Sequence, residues 1–537
     1  MWKTLQRSER LPLSSREQIL HQSRGLTKKR FLSTSLKPAT TSTNWDAFNN
    51  NNSPTTTLKP QGLTIGILRE TYDTWERRTP LTPNHVNELL QKEGLRQVLV
   101  QPSPQRCFSN HEYEAAGAIV IEDLSQADVI LGVKRPVHAE EMLADKTYLF
   151  FSHVIKGQES NMGLLQTILD KKIQLIDYEC IVQDKAFKQP DGSILNKPER
   201  LVAFGKYAGL AGMIDTFYPL GRRLVTDYGA HTPFLHCPPA MMQRDLAAAK
   251  DTIVRAGEKI VYDGLPPEMD PLVFCVTGKG GKVYGGAMEI LELLPHETIS
   301  VADLPELQAQ VHKERNKVFV VNPEPRELYQ HKLDGSFDRN AWKKNPGDYK
   351  SLFAETIAPY SHVLVNCIYW DPRYARLLTK EDVKRLSEED RNRILVVSDI
   401  SCDVNGSVEL LDRTCTIDKP YFNYNPFLQK EVSPDIGDKG ITVMGTDILP
   451  AELPKESSEH FGSAVTKVLG NILSESNTSL SCMDRMKNCP FLSGATITAD
   501  DGHLTDRYNY LESFLHRASM APLQAKQSFD VMMNGHL

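Results

Sequence analysis

From residue 64 onward, short runs of apolar residues alternate with stretches in which apolar residues recur every three or four positions. The first short runs cover 64–68, 97–100, 129–133, 147–151 and 174–176. Runs of this length between turn-rich segments are typical of buried strands, whereas the wider spacing is typical of one helix face. The pattern therefore predicts a β/α domain at the start of the folded chain.

The first helix of this domain has clear boundary signals. Thr82 can cap its N-terminus, Pro83 suits the first helical turn, and Gly94 follows its end. Val86 and Leu89 lie on one face at helical spacing. We expect that face to be buried against the sheet.

A second set of short apolar runs begins at residue 272. Its strands are predicted at 272–276, 298–301, 318–321, 362–365 and 394–397. A further strand and a long amphipathic helix close the pattern after residue 440. The pattern predicts a second β/α domain but does not decide where the closing helix packs.

The segment RLVAFGKYAGLAGMIDTFYPLGRR connects the two sets. Gly205, Gly209 and Gly212 recur on one face of the helix predicted there. Glycine lowers helix stability but lets another element approach the backbone closely. We interpret this face as a tight packing surface at the domain junction rather than a ligand contact.

The composition is that of a globular protein with room for two or three domains. The 537 residues are 40% hydrophobic and 24% charged, and the formal net charge of -6 argues against a general nucleic-acid binder. No apolar stretch approaches the 18 or so residues of a membrane span. The nine cysteines include no CxxC pair, which favours a reducing compartment over a disulfide framework.

Residues 1–60 differ in kind from the rest. Nine lysines or arginines lie in the first 37 positions, against two acidic residues, among many serines and threonines. This composition is typical of a mitochondrial transit peptide followed by a disordered linker, so it predicts a location in the mitochondrial matrix. A disordered cytosolic tail is the alternative.

Three basic side chains stand near predicted strand ends in the first domain. They are Arg78 in RRTPLTP, Lys134 in VKRP and His153 in FFSHVIKGQ. Strand ends are where α/β folds collect reacting groups, and these three residue types together can hold a carboxylate and move protons. The trio predicts an enzyme that acts on an anionic small molecule.

The second domain carries a glycine turn between a strand and a helix, in VFCVTGKGGKVYGGAMEI. Gly278, Gly280 and Gly281 would let the backbone approach a pyrophosphate, and the helix would direct its first amides at that charge. Asp303 lies 25 residues after Gly278, near the spacing of an acid that binds the adenosine ribose. Asp399 follows a later strand on the same expected sheet edge. Together these residues predict a dinucleotide site, with a structural glycine turn as the alternative.

Several ordered motifs resemble those of one family. They are RRTPLTP, ADVILGVKRP, TYLFFSHVIKGQ, LIDYE, RLVAFGKYAGLAGMI, VNCIYW and DILPAELPKESSEHFG, between about residues 62 and 520. The set resembles lysine-ketoglutarate reductase, the lysine-forming saccharopine dehydrogenase activity of the N-terminal half of mitochondrial alpha-aminoadipic semialdehyde synthase. It is more distantly similar to alanine dehydrogenase and the transhydrogenase nucleotide-binding subunit.

The resemblance implies an α/β fold with two Rossmann-like domains that face a cleft, the second, dinucleotide-binding domain being inserted in the first. It places the N-terminal catalytic domain at 61–203 plus 410–475 and the NAD(P)-binding domain at 204–409. The helix after Ile448 then returns to the first domain. Residues 476–537 resemble the linker to a second, saccharopine-cleaving dehydrogenase that does not follow, so the expected product is saccharopine.

The resemblance also assigns site residues. Lys134 and His153 match the family's acid/base pair, without a decision on which is the acid. The expected substrate-binding residues are Arg78, Gln158, Arg200, Phe204, Asn366, Cys367 and Ile368, and the expected cofactor-binding residues are Gly278, Gly280, Gly281, Asp303, Ser398, Asp399, Ile400 and Ser401. No metal is expected, because His231 and His236 lack further ligands at tetrahedral spacing.

The activity implied is the reductive condensation of lysine with 2-oxoglutarate to saccharopine, with NADPH as the cofactor and NADH as the alternative. Arg135 and Glu199 depart from the NAD-dependent fungal relatives, which have a glutamate and an arginine there. Asp303 is at odds with NADPH, because a carboxylate beside the ribose repels a 2′-phosphate. The expected partners are the two small substrates, and either a second copy of the chain or a separate saccharopine dehydrogenase.

Two other functions fit the same residues. Reductive amination of a small keto acid, as in alanine dehydrogenase, would use ammonia in place of lysine. A non-catalytic nucleotide-binding regulatory subunit would not need the intact Arg78, Lys134 and His153. Lysine-dependent oxidation of a reduced nicotinamide cofactor separates all three functions.

Overall fold

A computed structural model describes residues 62–92, 94–188, 194–267, 269–309, 315–433, 440–474 and 489–520. The transit peptide and linker predicted at 1–60 lie outside these residues. Within the described part of the chain, no helix combines the length and the apolarity that a membrane crossing requires.

The first sheet has six parallel strands in the order β3-β2-β1-β4-β5-β6. The strands are β1 (Leu63–Ile67), β2 (Leu95–Val100), β3 (Ile119–Val120), β4 (Val129–Lys134), β5 (Thr147–Phe151) and β6 (Gln174–Asp177), and the helices between them are α1 (Pro83–Leu90), α2 (Asn110–Ala115) and α3 (Glu159–Asp170). This strand order is that of the doubly wound dinucleotide-binding fold.

The boundary signals of α1 are confirmed. Thr82 is the N-cap with extended backbone angles, and Pro83 opens the helix. Val86 and Leu89 are fully buried, in one core with Ile65 and Ile67 of β1. The apolar spacing therefore identified the face that packs on the sheet.

A hairpin and two long helices lead from the first sheet to the second. They are the antiparallel strands β7 (Val182–Lys188) and β8 (Ile194–Arg200), followed by α4 (Gly205–Tyr228) and α5 (Leu246–Asp263). Helix α4 is the central element, since it packs against the second sheet and against the glycine-turn helix that follows β9 (Val273–Val276). The chain thus changes domain along one long helix.

The second sheet has eight strands in the order β10-β11-β9-β14-β15-β18-β16-β17. Its further strands are β10 (His296–Ile299), β11 (Val318–Val321), β14 (Val363–Asn366), β15 (Val396–Asp399), β16 (Tyr421–Asn425), β17 (Lys430–Val432) and β18 (Ile441–Met444), while β12 (Tyr329–His331) and β13 (Tyr349–Ser351) form a separate hairpin. The helices are α6 (Lys282–Leu291), α7 (Leu304–Ala309), α8 (Pro325–Leu328), α9 (Arg339–Lys344), α10 (Phe353–Thr356) and α11 (Lys380–Glu388). The first six strands in this order, from β10 across to β18, run parallel, and β16 and β17 extend the edge beyond β18 in antiparallel pairs.

The domain boundary predicted at residue 410 is wrong. Strand β18 pairs in parallel with β15, and β16 pairs with β18, so the chain up to Met444 belongs to the second sheet. The chain rejoins the first core with α12 (Pro454–Ser474), whose Phe461 and Val465 pack with Ile67 of β1. The apolar pattern could not show this boundary, because strand pairing is a long-range property.

The glycine face of α4 is a packing surface, as predicted. A Cβ atom on Gly209 would lie 2.0 Å from the carbonyl oxygen of Val283 in α6, and one on Gly286 would lie 2.0 Å from that of Lys206. A Cβ on Gly212 would lie 2.6 Å from Ile400. Helices α4 and α6 therefore touch backbone to backbone, which only glycine permits.

The described part of the C-terminal segment is folded against the first domain, contrary to the linker predicted at 476–537. It contains α13 (Pro490–Ser493) and α14 (Glu512–Met520), and Thr496 forms a bridge to Ile176 in β6. Tyr508 and Leu511 are buried in the core that also contains residues of α3. Residues 489–520 are thus part of the first domain.

Candidate active site

The predicted catalytic pair stands at the ends of two neighbouring strands. Lys134 is the last residue of β4, and its register partner in β5 is Phe151. His153 follows β5 by two residues and has a left-handed backbone with φ 57°. Because β4 and β5 are parallel neighbours, the two side chains belong to the same edge of the sheet.

Glu70, which sequence reasoning missed as a site residue, holds the end of β4. Its two carboxylate oxygens accept from the backbone N–H of Val133 at 2.6 Å and of Lys134 at 3.0 Å. Burial, and then the nearby charge of Glu76, raise the pKa of Glu70 to about 7. Glu70 therefore fixes the backbone from which the Lys134 side chain starts.

Arg78 is immobilised by contacts within the first domain. Its Nε and Nη2 donate to the carboxylate of Glu76 at 2.8 and 2.6 Å, and its guanidinium carbon lies 4.2 Å from the ring centre of Phe204. Both charged side chains are almost completely buried. Burial opposes the ionised form of Glu76, but Arg78 outweighs it and lowers the pKa of that carboxyl.

The ammonium group of Lys134 lies 4.9 Å from the ring centre of Tyr72. Burial, and to a smaller extent the charge of Arg78, lower the pKa of Lys134, while Asp447 and Glu76 oppose the change. A lowered pKa favours the neutral amine form of a lysine, and that form can accept a proton.

Glu179 is a second residue that the motifs missed, although it lies within the quoted LIDYE segment. Its Oε2 is 3.4 Å from Nδ1 of His153, and its Oε1 accepts from Nη2 of Arg200 at 2.5 Å. The hydrogen bond from His153, and then the charge of Arg200, lower the pKa of Glu179 to about 2. Glu179 orients one predicted catalytic residue and one predicted substrate-binding residue together.

Gln158 begins helix α3, five residues after His153. Its side-chain oxygen accepts from the amide nitrogen of Asn161 at 3.2 Å, and Asn161 also donates to the carbonyl oxygen of His153 at 3.3 Å. Gln158 is therefore linked to the His153 loop through Asn161.

A cavity of about 930 Å³ lies in the second domain at the carboxyl ends of β9, β11 and β14. The glycine turn after β9, the segment after β11 and the segment after β14 supply most of its walls. The predicted site residues that line it are Gly278, Gly280, Gly281, Cys367 and Ile368. Ligands of doubly wound sheets bind at this edge of the sheet.

The glycine turn fits the backbone approach that a nucleotide pyrophosphate requires. Gly278 has φ 82°, and a Cβ there would lie 2.8 Å from the carbonyl oxygen of Cys367. Gly280 has φ 85° with open space around it, and Gly281 is the N-cap of α6. The turn therefore presents bare backbone and a helix N-terminus to the cavity, which suits a dinucleotide.

Asn366 is a buried hydrogen-bonding hub rather than an open substrate ligand. Its Oδ1 accepts from Thr277, and its Nδ2 donates to Asp399, Ser401 and Ser407 at 3.0 to 3.2 Å. Asp399 also accepts from Ser401 at 2.6 Å, and burial raises its pKa to about 6. This network fixes the ends of β14 and β15 beside the cavity.

Three of the predicted cofactor-binding side chains do not line the cavity. Ser398 is fully buried and bonds to Thr216 of α4 at 2.8 Å, and Ile400 packs on Gly212. Asp303 accepts from the hydroxyl of Ser300 at 2.6 Å in a helix cap, exposed and beyond the end of β10. Asp303 lies outside the cavity because it follows β10, the edge strand, whereas β11 is the strand next to β9.

The first-domain cluster and the second-domain cavity are joined by contacts between the domains. Lys282, at the start of α6, lies 3.0 Å from the carboxylate of Glu199 and donates to the carbonyl oxygen of Arg200 at 3.1 Å. The ammonium of Lys156 lies 5.9 Å from the ring centre of Tyr369, which lines the cavity. Lys282 and Lys156 thus connect the segments that carry Arg200 and His153 to the domain that contains the cavity.

A family profile described as the alanine dehydrogenase/PNT N-terminal domain matches residues 66–190. The chain is 37% identical to alpha-aminoadipic semialdehyde synthase of Arabidopsis thaliana over 462 residues, which is 83% of this chain and 41% of that protein. It is 34% identical to the mitochondrial protein of that name from Mus musculus over 88% of this chain and 50% of that protein. The chain spans half or less of the length of these two relatives.

A shorter relative is matched over most of its length. Saccharopine dehydrogenase [NAD(+), L-lysine-forming] of Candida glabrata is 24% identical over 72% of this chain and 86% of that protein. Among solved structures, an L-alanine dehydrogenase superposes with a TM-score of 0.52 at 15% identity, covering 85% of this chain and all of that one. The structural likeness supports the α/β fold class, with a Rossmann-like parallel sheet.

Proposed function

Because this chain carries an alanine dehydrogenase/PNT N-terminal domain and is homologous to part of the alpha-aminoadipic semialdehyde synthases, we propose that it is a lysine-2-oxoglutarate reductase. The reaction condenses the ε-amine of lysine with the keto carbon of 2-oxoglutarate, releases water, and reduces the imine to saccharopine. The cofactor is a nicotinamide dinucleotide, NADPH in the first instance, and it supplies the hydride when bound.

One observation carries the proposal. Lys134 and His153 stand on neighbouring strand ends with the fixed cations Arg78 and Arg200, and the domain that bears this cluster contacts the domain with the dinucleotide-sized cavity. Lysine and 2-oxoglutarate together carry three carboxylates, and the ε-amine of lysine is the group that must react. Cations for the carboxylates and two groups for proton transfer are the chemistry that such substrates need.

The chain's own residues would act on protons and carboxylates. A lysine ε-amine has a pKa of about 10.4, so its deprotonation at pH 7 costs about 4 to 5 kcal/mol. One member of the Lys134 and His153 pair accepts that proton, and the other protonates the hydroxyl that leaves as water. Glu179 holds His153 and Arg200 in place, and Arg78 and Arg200 orient the substrate carboxylates.

The test is a spectrophotometric assay of the full chain with lysine, 2-oxoglutarate and either NADPH or NADH. We expect lysine-dependent oxidation of the cofactor with saccharopine as the product. Lys134→Met should lower kcat at least about a hundredfold, as general acid–base catalysis contributes about 10²- to 10⁴-fold. Lys259→Met, an exposed change on α5, should leave turnover intact.

The same assay separates the competing functions. Turnover with ammonium and pyruvate in place of lysine and 2-oxoglutarate would replace the proposal by reductive amination of a small keto acid. Cofactor binding without turnover on any of these substrates would leave a regulatory nucleotide-binding role.

A mitochondrial matrix location is part of the same proposal. The murine relative is named mitochondrial, and residues 1–60 have the composition of a transit peptide. A tagged chain should co-fractionate with matrix markers, and its first residues should be removed on import. Size-exclusion chromatography with light scattering would show whether it pairs with itself.

A further inference from the structure

The strand order of the second sheet moves the position where the adenosine ribose of a dinucleotide would bind. In a doubly wound sheet, the ribose is recognised at the end of the strand that neighbours the glycine-turn strand. Here that neighbour is β11, not β10, although β10 comes first in the sequence. The segment after Val321 therefore holds the position that the spacing from Gly278 had assigned to Asp303.

The first residue after β11 is neutral. Asn322 takes the place where NAD-binding domains carry the aspartate or glutamate that bonds the ribose hydroxyls. Its side-chain Oδ1 is buried and, among the described residues, has no hydrogen-bond partner. A buried amide oxygen without a donor is costly unless a ligand supplies one, and a ribose hydroxyl can donate to it. The Nδ2 of the same side chain can donate to a phosphate oxygen.

Two cations flank Glu324, two residues after Asn322. Lys279 of the glycine turn lies 3.8 Å from Glu324, and Arg326 lies 3.7 Å from the other oxygen of the same carboxylate. Arg339 lines the cavity that Lys279 and Glu324 also line. Both oxygens of Glu324 face cations, so it acts as their counterion, and Glu327 accepts from the N–H of Glu324 at 2.7 Å. The three cations and two carboxylates together carry one net positive charge.

We propose that Asn322, Lys279 and Arg326 form a phosphomonoester site that binds the 2′-phosphate of NADPH and so selects it over NADH. The inference rests on the proposed function only in that the cavity takes a nicotinamide dinucleotide. An arginine beside the ribose accommodates a 2′-phosphate, whereas a carboxylate at the strand end would repel it. Glu324 holds the two long cationic side chains near the site until the phosphate takes its place.

The test measures binding as well as turnover. The full chain is titrated calorimetrically with NADPH, NADH, 2′,5′-ADP and 5′-AMP. We expect NADPH to bind at least about tenfold tighter than NADH, and 2′,5′-ADP to show the same advantage over 5′-AMP, since one charge-assisted hydrogen bond is worth about tenfold.

Two variants test the assignment. Arg326→Gln should weaken NADPH and 2′,5′-ADP about tenfold and leave NADH unchanged. Asn322→Asp should reverse the preference toward NADH, because it places a carboxylate at the strand end. Arg255→Gln, an equally exposed arginine on α5, is the matched control. Retained NADH binding and an unchanged melting temperature show that each variant is folded.

Equal affinities of the unaltered chain for NADPH and NADH would overturn the inference, as would an Arg326→Gln variant that weakens both cofactors alike. These outcomes differ from failure of the proposed function, in which the folded chain binds neither dinucleotide or binds one without lysine-dependent turnover.

Discussion

At the scale of single residues, carboxylates that no motif emphasised hold the predicted reacting groups in place. Glu70 accepts two backbone amides at the end of β4, and Glu179 contacts both His153 and Arg200. The pKa values of the two acids shift in opposite directions, because Glu70 is buried near the negative charge of Glu76, whereas Glu179 is hydrogen-bonded by His153 and lies beside the cation Arg200. The position of each reacting side chain thus depends on an acid from a neighbouring strand end.

Glu70→Gln should lower kcat about tenfold or more with little effect on the affinity for the cofactor. The amide nitrogen of glutamine cannot accept from the N–H of Val133 or Lys134, and a lost hydrogen bond to a charged group is worth about 1.5 to 3 kcal/mol. Steady-state kinetics with each substrate varied in turn provide the measurement. Glu122→Gln, on the exposed side of the adjoining pocket, is the control.

The same variant tests the pH dependence. The raised pKa of Glu70, about 7, means that its two-acceptor carboxylate form is lost as the pH falls through that value. In the unaltered enzyme kcat should therefore decline below about pH 7, and this decline should be missing or shifted in Glu70→Gln. A kcat for Glu70→Gln within twofold of the unaltered value would contradict the positioning role.

At the scale of elements, helix α14 and Tyr510, two residues before it, support the loop that carries His153. The hydroxyl of Tyr510 donates to the carbonyl oxygen of Ile155 at 2.7 Å. The ring of Phe514 lies so close to Gly157 that a Cβ there would be 2.4 Å away from it. Since His153 and Gly157 both have left-handed backbones, this loop depends on outside contacts to keep its shape.

Phe514→Ala should lower kcat several-fold through the loss of this support, and Phe514→Leu should restore most of it by filling the space. Tyr510→Phe should lower kcat by up to about fivefold, which corresponds to the loss of one hydrogen bond worth about 1 kcal/mol. Tyr262→Phe, an exposed tyrosine of α5, is the matched control. Limited proteolysis at the loop 153–157 would report its opening independently, and unchanged kinetics in Phe514→Ala would show that the helix has no such role.

At the scale of the whole molecule, a buried pair of carboxyl groups links the central helix to the segment that returns to the first domain. Asp215 of α4 accepts from the N–H of Ala240 at 2.8 Å, and Glu452 accepts from that of Met241 at 3.1 Å. Burial raises the pKa of Asp215 to about 7 and, together with Asp215, raises that of Glu452 well above its ordinary value. Both shifts favour the protonated form of the pair in the folded protein.

This pair makes stability fall with rising pH. A carboxyl with a raised pKa in the folded state contributes its full stability below its unfolded pKa of about 4, and the contribution is lost as the pH rises through about 7. The loss has a slope of about 1.4 kcal/mol per pH unit for one proton. Asp215→Asn resembles the protonated acid and should remove this dependence.

Denaturant unfolding of the unaltered chain and of Asp215→Asn between pH 5 and pH 8 provides the measurement. The asparagine variant should gain stability relative to the unaltered chain as the pH rises. A difference between the two that does not change with pH would show that the pair is not protonated in the folded state. Asp251→Asn, an exposed acid on α5, is the control.

The alternation of β and α elements, the start of α1, the close-packed glycine face of α4 and the glycine turn after β9 could all be predicted from the sequence. These features depend on local apolar spacing and on backbone angles that particular residues favour or require, so neighbouring residues suffice to specify them. The motifs also placed Lys134 and His153 correctly at strand ends, whereas Arg78 lies in the loop before α1, eleven residues after β1.

Tertiary structure alone placed β16 to β18 in the second sheet and packed α14 on the His153 loop. It also separated Asp303 from the glycine-turn strand, because β11, which Asn322 follows, lies between β9 and β10. It brought Glu70 to the end of β4, 64 residues away along the chain. Strand order and long-range contacts decide such placements, since they depend on how distant elements share one core rather than on the residues within any one element.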